Sequence, residues 1–182
     1  RLGSLRAFDV GDFDADSRCL RLRHRPRTGT PLKNRKAAER SIAVGDHYVE
    51  VIQSYIDHNR PNVTDGYGRK PLIASEQGRL SETPIRRTIY KWTRPCMVGG
   101  CPHDRNPPTC EYMTWDRARD CPSSTYPHAV RRGAITKHLR DGTPEEVVTD
   151  RMNVSRDVLA DHYDRRSERE KMELRREFLE EA

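Results

Sequence analysis

The most informative stretch of this sequence is Pro127-His128-Ala129-Val130-Arg131-Arg132-Gly133-Ala134-Ile135-Thr136-Lys137-His138-Leu139. Side chains three residues apart are neighbours on a helix, so a helix here would point His128 and Arg131 at one anion. Tyr163 follows thirty-one residues after Arg132, in Ala160-Asp161-His162-Tyr163-Asp164. A tyrosine hydroxyl brought to the same place could act as a nucleophile. These residue types predict attack on a phosphodiester.

The composition favours a polyanionic partner. The 182 residues contain 34 Lys and Arg against 28 Asp and Glu, which gives a net charge of +6. Cationic surface displaces condensed counterions from nucleic acid, so a basic protein suits DNA. An even spread of Lys and Arg over an ordinary surface would give the same total, so the charge supports DNA binding without deciding it. The length fits one domain with a lean core, since 34% of the residues are hydrophobic.

Membrane and secretion signals are missing from the sequence. No apolar stretch approaches the roughly 20 residues that a membrane span needs. No charged-then-apolar beginning resembles a secretory signal. We therefore expect a cytoplasmic protein without membrane contact. Because the first residue is Arg1 rather than Met, we also expect the chain to be a fragment.

Helical patterns dominate the last third of the chain. We predict one helix over 128–140 and a second opened by a capping box at Thr143-Pro144-Glu145-Glu146. Ser155 would cap a third helix that leads to Tyr163. Residues 167–182 are highly charged and predict a fourth helix.

The first half of the chain mixes helix and strand signals. Residues 1–14 have apolar side chains at helical spacing, and period-two alternation over 20–24 and 40–44 predicts a hairpin with a long, flexible tip. We predict further helices over 46–59, capped by Asp46, and 83–93, opened by Thr83 and Pro84. The fold class predicted from these patterns is mainly α with a small antiparallel β-sheet.

Residues 94–127, called the cysteine segment below, have frequent prolines and little periodicity. They contain four thiols, on Cys96, Cys101, Cys110 and Cys121. Four thiolates can close a tetrahedral zinc site, and a metal would explain so long a loop in a compact domain. The spacing lacks paired CxxC knuckles, and His103 could replace one thiol. A structural zinc and free cysteines both remain open, and a closed four-ligand site would have no role in catalysis.

The chain resembles the catalytic domain of the tyrosine recombinase (phage integrase) family. The stretch 127–139 is similar to that family's HxLRR…HL box, and residues 1–14 are similar to its first-arginine box, R-x-x-E-L-x-x-L-x-W-x-D-I-D. The hairpin with Lys33 and Lys36 occupies the place of the family's lysine hairpin, and residues 153–163 resemble its tyrosine box. These boxes come in the family's order. The cysteine segment resembles a variant associated with archaeal integrase-like proteins.

The resemblance implies a phosphoryl-transfer site made of five side chains, those of Tyr163, Arg131, His128, Arg1 and Lys33. The tyrosine would form a 3′-phosphotyrosine, which stores the bond energy without ATP or a catalytic cofactor. The two arginines would bind the phosphate and stabilise the transition state, and the histidine would donate a hydrogen bond or move a proton. A hairpin lysine would protonate the departing 5′-oxygen. Lys33 is preferred because it lies nearer the hairpin tip, and Lys36 is the alternative.

Two positions depart from the family pattern. Val154 stands nine residues before the tyrosine, where the family usually has His or Trp, and Ser4 replaces an acidic residue. Asn153 could donate one hydrogen bond in place of the missing His or Trp, but it cannot act as an acid. Two rival interpretations therefore stay open. One is a DNA-binding remnant without turnover, and the other is a zinc-dependent DNA-binding or partner-binding protein built on the cysteine segment.

The resemblance also implies partners and a domain organisation. Residues 1–182 would form one catalytic domain for site-specific recombination of double-stranded DNA, with the cysteine segment as an insertion. The helix over 167–182 would dock onto a neighbouring protomer, and the protein would assemble on DNA as a homotetramer. We expect the family's amino-terminal DNA-clamping domain to be absent from this chain, and we expect this chain alone to bind DNA weakly.

Overall fold

A computed structural model describes residues 1–164 and 166–180, and for residues 177, 178 and 180 it describes the backbone alone. The chain divides into two compact units, a first unit over Arg1–Pro127 and a second unit over His128–Ala182. Within the described ranges, every helix is too short or too polar to cross a membrane.

A three-stranded antiparallel sheet organises the first unit. Helix α1 (Leu2–Ala7) leads through a 3-10 turn into β1 (Phe13–Asp14). Strand β1 pairs with β2 (Cys19–Leu22), and β2 pairs with β3 (Arg40–Ala43). The predicted antiparallel strand pair is therefore confirmed as β2 and β3. The sequence pattern misses β1 because two residues are too few to show alternation.

One apolar cluster forms the core of this first unit, and its buried members are Ala7, Phe8, Leu22, Leu32, Ala38 and Leu72. Each fully buried Leu or Phe side chain stabilises the fold by about 1.5–3 kcal/mol. Leu32 and Ala38 come from the connection between β2 and β3, and they are only 4% and 3% exposed. The connection predicted as a long, flexible tip is thus anchored in the core at two points.

Three aspartates and three arginines form a largely buried ionic cluster beside this core: Asp9, Asp12, Asp65, Arg25, Arg69 and Arg79. Arg25 donates two hydrogen bonds to Asp12, at 2.8 and 2.5 Å. Arg79 pairs with Asp9 and with Asp65. Burial raises the pKa of Asp65, but hydrogen bonds from two backbone amides and from the Arg79 guanidinium outweigh it and hold that pKa below its usual value. The Asp65 carboxylate therefore stays ionised at neutral pH, and the ion pairs of the cluster hold the chain around α1.

Two longer helices complete the regular structure of the first unit, α2 (Asp46–Ser54) and α3 (Glu82–Trp92). Helix α2 continues into a π-helical turn, Tyr55–Asn59, which brings it to the predicted end. Between the helices lies a small hairpin of β4 (Ala74–Ser75) and β5 (Gly78–Arg79).

The starts of these two helices differ slightly from the predictions. Gly45 occupies the cap position of α2, and Asp46 is the first helical residue. Instead of capping, the Asp46 carboxylate accepts a hydrogen bond from Arg18 at 2.7 Å. A carboxylate in the first turn still favours the helix electrostatically. Helix α3 begins one residue before the predicted Thr83 and has Ser81 at its cap position.

The cysteine segment folds as a series of short 3-10 turns. Its anchor is Arg94, which is 1% exposed and donates hydrogen bonds to the carbonyl oxygens of Lys91 and Tyr112. The Tyr112 ring also carries the guanidinium groups of Arg105 and Arg117, at 4.8 and 5.5 Å from its centre. Polar and cation–π contacts therefore hold this segment in place.

The second unit is helical, as predicted. Its helices are α4 (Pro127–Arg140), α5 (Glu145–Met152), α6 (Arg156–His162) and α7 (Glu168–Glu180). Residues 181 and 182, the end of the helix predicted over 167–182, lie outside the described residues. The core of this unit consists of Ile135, Leu139, Val148, Leu159 and Tyr163.

The predicted capping box at Thr143-Pro144-Glu145-Glu146 is wrong. Pro144 takes the cap position of α5 and has no side chain that could accept a hydrogen bond. A reciprocal box forms instead at the start of α7. There the Ser167 amide donates to the Glu170 carboxylate at 2.6 Å, and the Glu170 amide donates to the Ser167 hydroxyl at 3.2 Å.

Candidate active site

Helix α4 presents the predicted His-x-x-Arg pair at its beginning. Pro127 suits a first helical position because its missing N–H would have no partner there. The helix ends at Arg140, and Gly142 follows with a left-handed φ of 77°, which a residue without Cβ adopts readily. His128 is exposed and Arg131 is half-buried, one helical turn apart as the spacing requires.

Tyr163 lies against the first turns of this helix. The centres of the His128 and Tyr163 rings are 6.3 Å apart, and the ring planes are inclined by 55°. The Thr136 hydroxyl donates to the Tyr163 carbonyl oxygen at 3.2 Å and fixes the backbone of the tyrosine to α4. The structure therefore brings together two of the five predicted catalytic side chains. Thr136 was not predicted, since a lone threonine on a helix carries no sequence signal.

Arg131 connects α4 to the end of α5. Its Nη2 donates to the Met152 carbonyl oxygen at 2.5 Å. A guanidinium has five N–H donors, so it can bind a phosphate without giving up this contact. The bond to Met152 fixes the direction of the guanidinium, which is what a phosphate-binding arginine requires.

The two residues after Met152 have structural roles in the turn between α5 and α6. Asn153 has a left-handed backbone with φ of 49°, a conformation that Asn tolerates better than most residues. Val154 is half-buried and packs against the core of the second unit. The place where the family usually has His or Trp is therefore filled by a packing residue.

The burial of Tyr163 constrains its chemistry. The residue is 6% exposed and belongs to the apolar core of the second unit. The position of its hydroxyl therefore depends on how the segment that carries Tyr163 packs against that core.

That segment is held by an ion pair that the sequence patterns did not reveal. Arg166 donates to both carboxylate oxygens of Asp164, at 2.8 and 2.9 Å, and its backbone amide donates at 3.1 Å. The same guanidinium reaches the Leu139 carbonyl at 3.3 Å and Glu145 at 2.9 Å. These Arg166 hydrogen bonds, with the charge of Lys171, outweigh burial and lower the pKa of Asp164 from 3.8 to about 2. The pair links the end of α4, the start of α5 and the residue after Tyr163.

Two predicted catalytic residues belong to the first unit. Arg1 is exposed, and its carbonyl oxygen accepts hydrogen bonds from the amides of Ser4 and Leu5, at 3.1 and 3.2 Å, at the start of α1. Lys33 and Lys36 are both exposed in the connection between β2 and β3. Exposure alone does not separate the two lysines, so the preference for Lys33 stays a prediction, as does the role of Arg1.

The four cysteines of the cysteine segment have half-buried, free thiols. Across the described ranges, no three His, Cys, Asp or Glu side chains converge where they could hold one metal ion. The Nε2 atom of His103 lies 2.8 Å from the Ser123 hydroxyl. The arrangement as it stands does not fit zinc, and the zinc site stays a prediction that metal analysis can decide.

Comparisons with known proteins identify the fold. No protein-family model matches the chain, and no curated protein matches it. Several solved structures do match the chain. The XerA recombinase superposes with a TM-score of 0.61 at 17% identity, over 98% of this chain and 53% of its own. The Tn1549 transposon integrase, solved in complex with a circular intermediate DNA, superposes with a TM-score of 0.62 at 16% identity, over 97% of this chain and 54% of its own.

The chain thus has the fold of the tyrosine recombinase catalytic domain, mainly α with small antiparallel sheets, which confirms the predicted fold class. It spans about half the length of the solved structures that it matches. The resemblance of the cysteine segment to an archaeal variant stays a prediction.

Proposed function

We propose that this chain is the catalytic part of a tyrosine-type, site-specific DNA recombinase that cuts and rejoins DNA strands in integration or excision. The observation that carries the proposal is the approach of the Tyr163 and His128 rings to 6.3 Å. His128 lies on helix α4, which also carries Arg131. The chain has the tyrosine recombinase catalytic-domain fold. A tyrosine, an imidazole and a guanidinium are the groups that a phosphotyrosine reaction needs.

In the proposed reaction, the Tyr163 oxygen attacks the phosphorus of one phosphodiester. A P–O bond to the tyrosine forms, the bond to the 5′-oxygen breaks, and the strand is left as a 3′-phosphotyrosine. The tyrosine loses its proton, for which His128 is the nearby acceptor, and Lys33 gives one to the departing oxygen. Rejoining reverses these steps with a new 5′-hydroxyl, so ATP and a catalytic metal are not needed.

The arginines stabilise the charge that develops on the phosphate. Arg131 would hold one non-bridging oxygen while its bond to Met152 keeps the guanidinium aligned. Arg1 would supply a second guanidinium on bound DNA. Removal of one such donor typically lowers the rate about 10²–10³-fold, so each arginine is a measurable part of the proposal.

Partners follow from the same chemistry. The net charge of +6 suits double-stranded DNA, and the Tn1549 integrase was solved with DNA bound. A recombinase must act on several strands in one assembly, so we propose a homotetramer in which α7 docks onto a neighbouring protomer. The cytoplasmic location predicted from the sequence belongs to this proposal.

A nicked suicide duplex tests the enzyme proposal. When cleavage releases a short fragment that diffuses away, the covalent protein–DNA adduct cannot reverse and is visible on a denaturing gel. We expect an adduct with the unmodified chain at high DNA concentration, none with Tyr163→Phe, and an unchanged amount with Tyr126→Phe. Tyr126 is a matched control because it is 49% exposed and belongs to the first unit. An adduct that survives Tyr163→Phe would refute the assigned nucleophile.

A DNA-binding protein without turnover is the second candidate. The low exposure of Tyr163 and the apolar Val154 favour it, because little of the tyrosine side chain is open to a DNA phosphate and one hydrogen-bond donor is missing. Duplex binding in a mobility-shift titration, without any adduct from the suicide duplex, would select this interpretation. The zinc-dependent interpretation has no comparable geometric support.

A further inference from the structure

A pocket in the first unit lies between α3 and the cysteine segment, and none of its residues belongs to the candidate active site. Its volume is about 420 Å³, within the usual range for small-ligand sites. The side chains that define it are Arg86, Arg87, Tyr90, Trp115, Asp116 and Arg119. We call it the arginine–aromatic pocket.

The wall from α3 follows from helical spacing. Tyr90 comes three residues after Arg87 and four after Arg86, so these side chains share one face of the helix. The opposite wall is the turn of the cysteine segment that begins at Trp115. Ala118 in this turn is 1% exposed and fixes the turn against the helix. The pocket is therefore built by α3 and the cysteine segment, which have no role in the proposed catalytic mechanism.

The charges of the pocket are available to an anion. Arg87 pairs with Asp116 at 3.0 Å, Arg119 pairs with Asp120 at 3.4 Å, and the Arg86–Glu82 pair is longer, at 4.0 Å. The side chains of these pairs are about half exposed or more, and exposed ion pairs contribute little. A phosphate that meets several guanidinium groups at once can displace the carboxylates, because the phosphate accepts bidentate hydrogen bonds from each arginine.

The aromatic side chains add a flat apolar surface to these charges. Trp115 is 42% exposed, and Tyr90 is half-buried. Every nucleobase has a π face, and stacking on an aromatic side chain needs no particular base. Guanidinium groups beside an indole and a phenol suit a ligand that carries both a phosphate and an aromatic ring, as a nucleotide does.

We propose that the arginine–aromatic pocket binds a nucleotide, with the phosphate on Arg86, Arg87 and Arg119 and the base stacked against Trp115 and Tyr90. The nucleotide comes either from an unpaired position of a DNA strand or from solution. This binding is independent of the strand-cleavage chemistry, so Tyr163→Phe is expected to leave it unchanged.

Tryptophan fluorescence tests the proposal directly. The chain has two tryptophans, so Trp92→Phe leaves Trp115 as the sole reporter. This variant is titrated with thymidine 5′-monophosphate, with a six-nucleotide oligothymidylate and with inorganic polyphosphate, which has charge but no base. We expect saturable quenching by one or both thymidine probes and weaker or no quenching by polyphosphate.

Further substitutions in that background separate the two kinds of interaction. Tyr90→Leu should weaken nucleotide binding about 10-fold by removing a stacking partner. Arg87→Gln with Arg119→Gln should also weaken it, and should lower the salt slope for the oligonucleotide by about 0.7 for each phosphate that is no longer neutralised. Arg27→Gln, at an exposed arginine outside the pocket, serves as the control and should change neither quantity. Circular dichroism and urea unfolding verify that each variant is folded.

The outcomes decide both the site and its source of ligand. Quenching by thymidine 5′-monophosphate, with or without quenching by the oligonucleotide, identifies a free nucleotide as sufficient, and quenching by the oligonucleotide alone identifies a DNA strand. Each supports the pocket. Absence of saturable quenching, equal quenching by polyphosphate, or binding unchanged in folded Tyr90→Leu and arginine variants would overturn it. A failed adduct assay with normal quenching would refute the recombinase proposal and leave this one standing.

Discussion

Replacement of Asp164 by Asn tests whether the Asp164–Arg166 ion pair stabilises the chain immediately after Tyr163. The Asp164 side chain is 5% exposed and accepts three hydrogen bonds from Arg166. Its pKa is lowered from 3.8 to about 2. The largest cause is hydrogen bonding from the Arg166 side chain, which outweighs the opposite effect of burial. A difference of nearly two pKa units corresponds to about 2 kcal/mol of folding free energy at neutral pH.

The sign of the pH dependence follows from the lowered pKa. The ionised carboxylate is favoured in the folded state, so its contribution is complete above about pH 5 and is lost as the pH falls through the folded value near 2. At pH 3 we expect roughly half of the contribution to remain. The amide of the Asp164→Asn variant cannot ionise, so the difference in stability between the two proteins should shrink over the same range.

Urea unfolding monitored by far-ultraviolet circular dichroism measures this difference. Asp164→Asn should lower the free energy of unfolding by about 2 kcal/mol at pH 7 and by about half as much at pH 3. Asp161→Asn, at an exposed carboxylate of α6, should stay within about 0.5 kcal/mol of the unmodified chain at both pH values. A decrease of less than about 0.5 kcal/mol for Asp164→Asn at pH 7, or a decrease that is as large at pH 3 as at pH 7, would refute the reasoning.

Three further predictions follow from the described contacts. Arg79→Met should lower the free energy of unfolding by roughly 3–5 kcal/mol in urea titrations, because it leaves two buried carboxylates short of their partner; a decrease of less than about 1 kcal/mol would contradict the ionic cluster. Arg131→Gln should slow adduct formation on the suicide duplex about 10²-fold or more while DNA affinity in a mobility shift changes little, and an unchanged rate would remove Arg131 from the site. Elemental analysis of protein purified without added metal should find almost no zinc if the free thiols persist in solution, whereas stoichiometric zinc that disappears in Cys101→Ser would establish the metal site.

Local patterns predicted the elements that depend on neighbouring residues. The helices of the second unit were predictable because helical spacing and end signals lie within a few residues of each other, and the β2–β3 pair because each strand alternates. The capping box predicted at 143–146 also rests on local sequence alone, and it is wrong. Pro144 satisfies the sequence signature but takes the cap position itself.

Features that depend on distant partners could not be predicted. The ionic cluster pairs Asp9 with Arg79, seventy residues away, and no periodicity connects them. Likewise, nothing in the residues around Tyr163 indicates that it would be 6% exposed in a core. The resemblance supplied the candidate residues, and only the structure shows that Val154 packs against the core and that Arg166 holds Asp164, the residue after the proposed nucleophile.

Mass spectrometry of the covalent adduct tests the central claim most directly. The suicide-duplex reaction is stopped, the DNA is digested to a short nucleotide remnant, and the protein is cleaved into peptides. We predict that the peptide containing Tyr163 carries the remnant, linked through the tyrosine oxygen to a 3′-phosphate. A remnant on another residue, or a 5′-phosphate linkage, would contradict the proposed reaction.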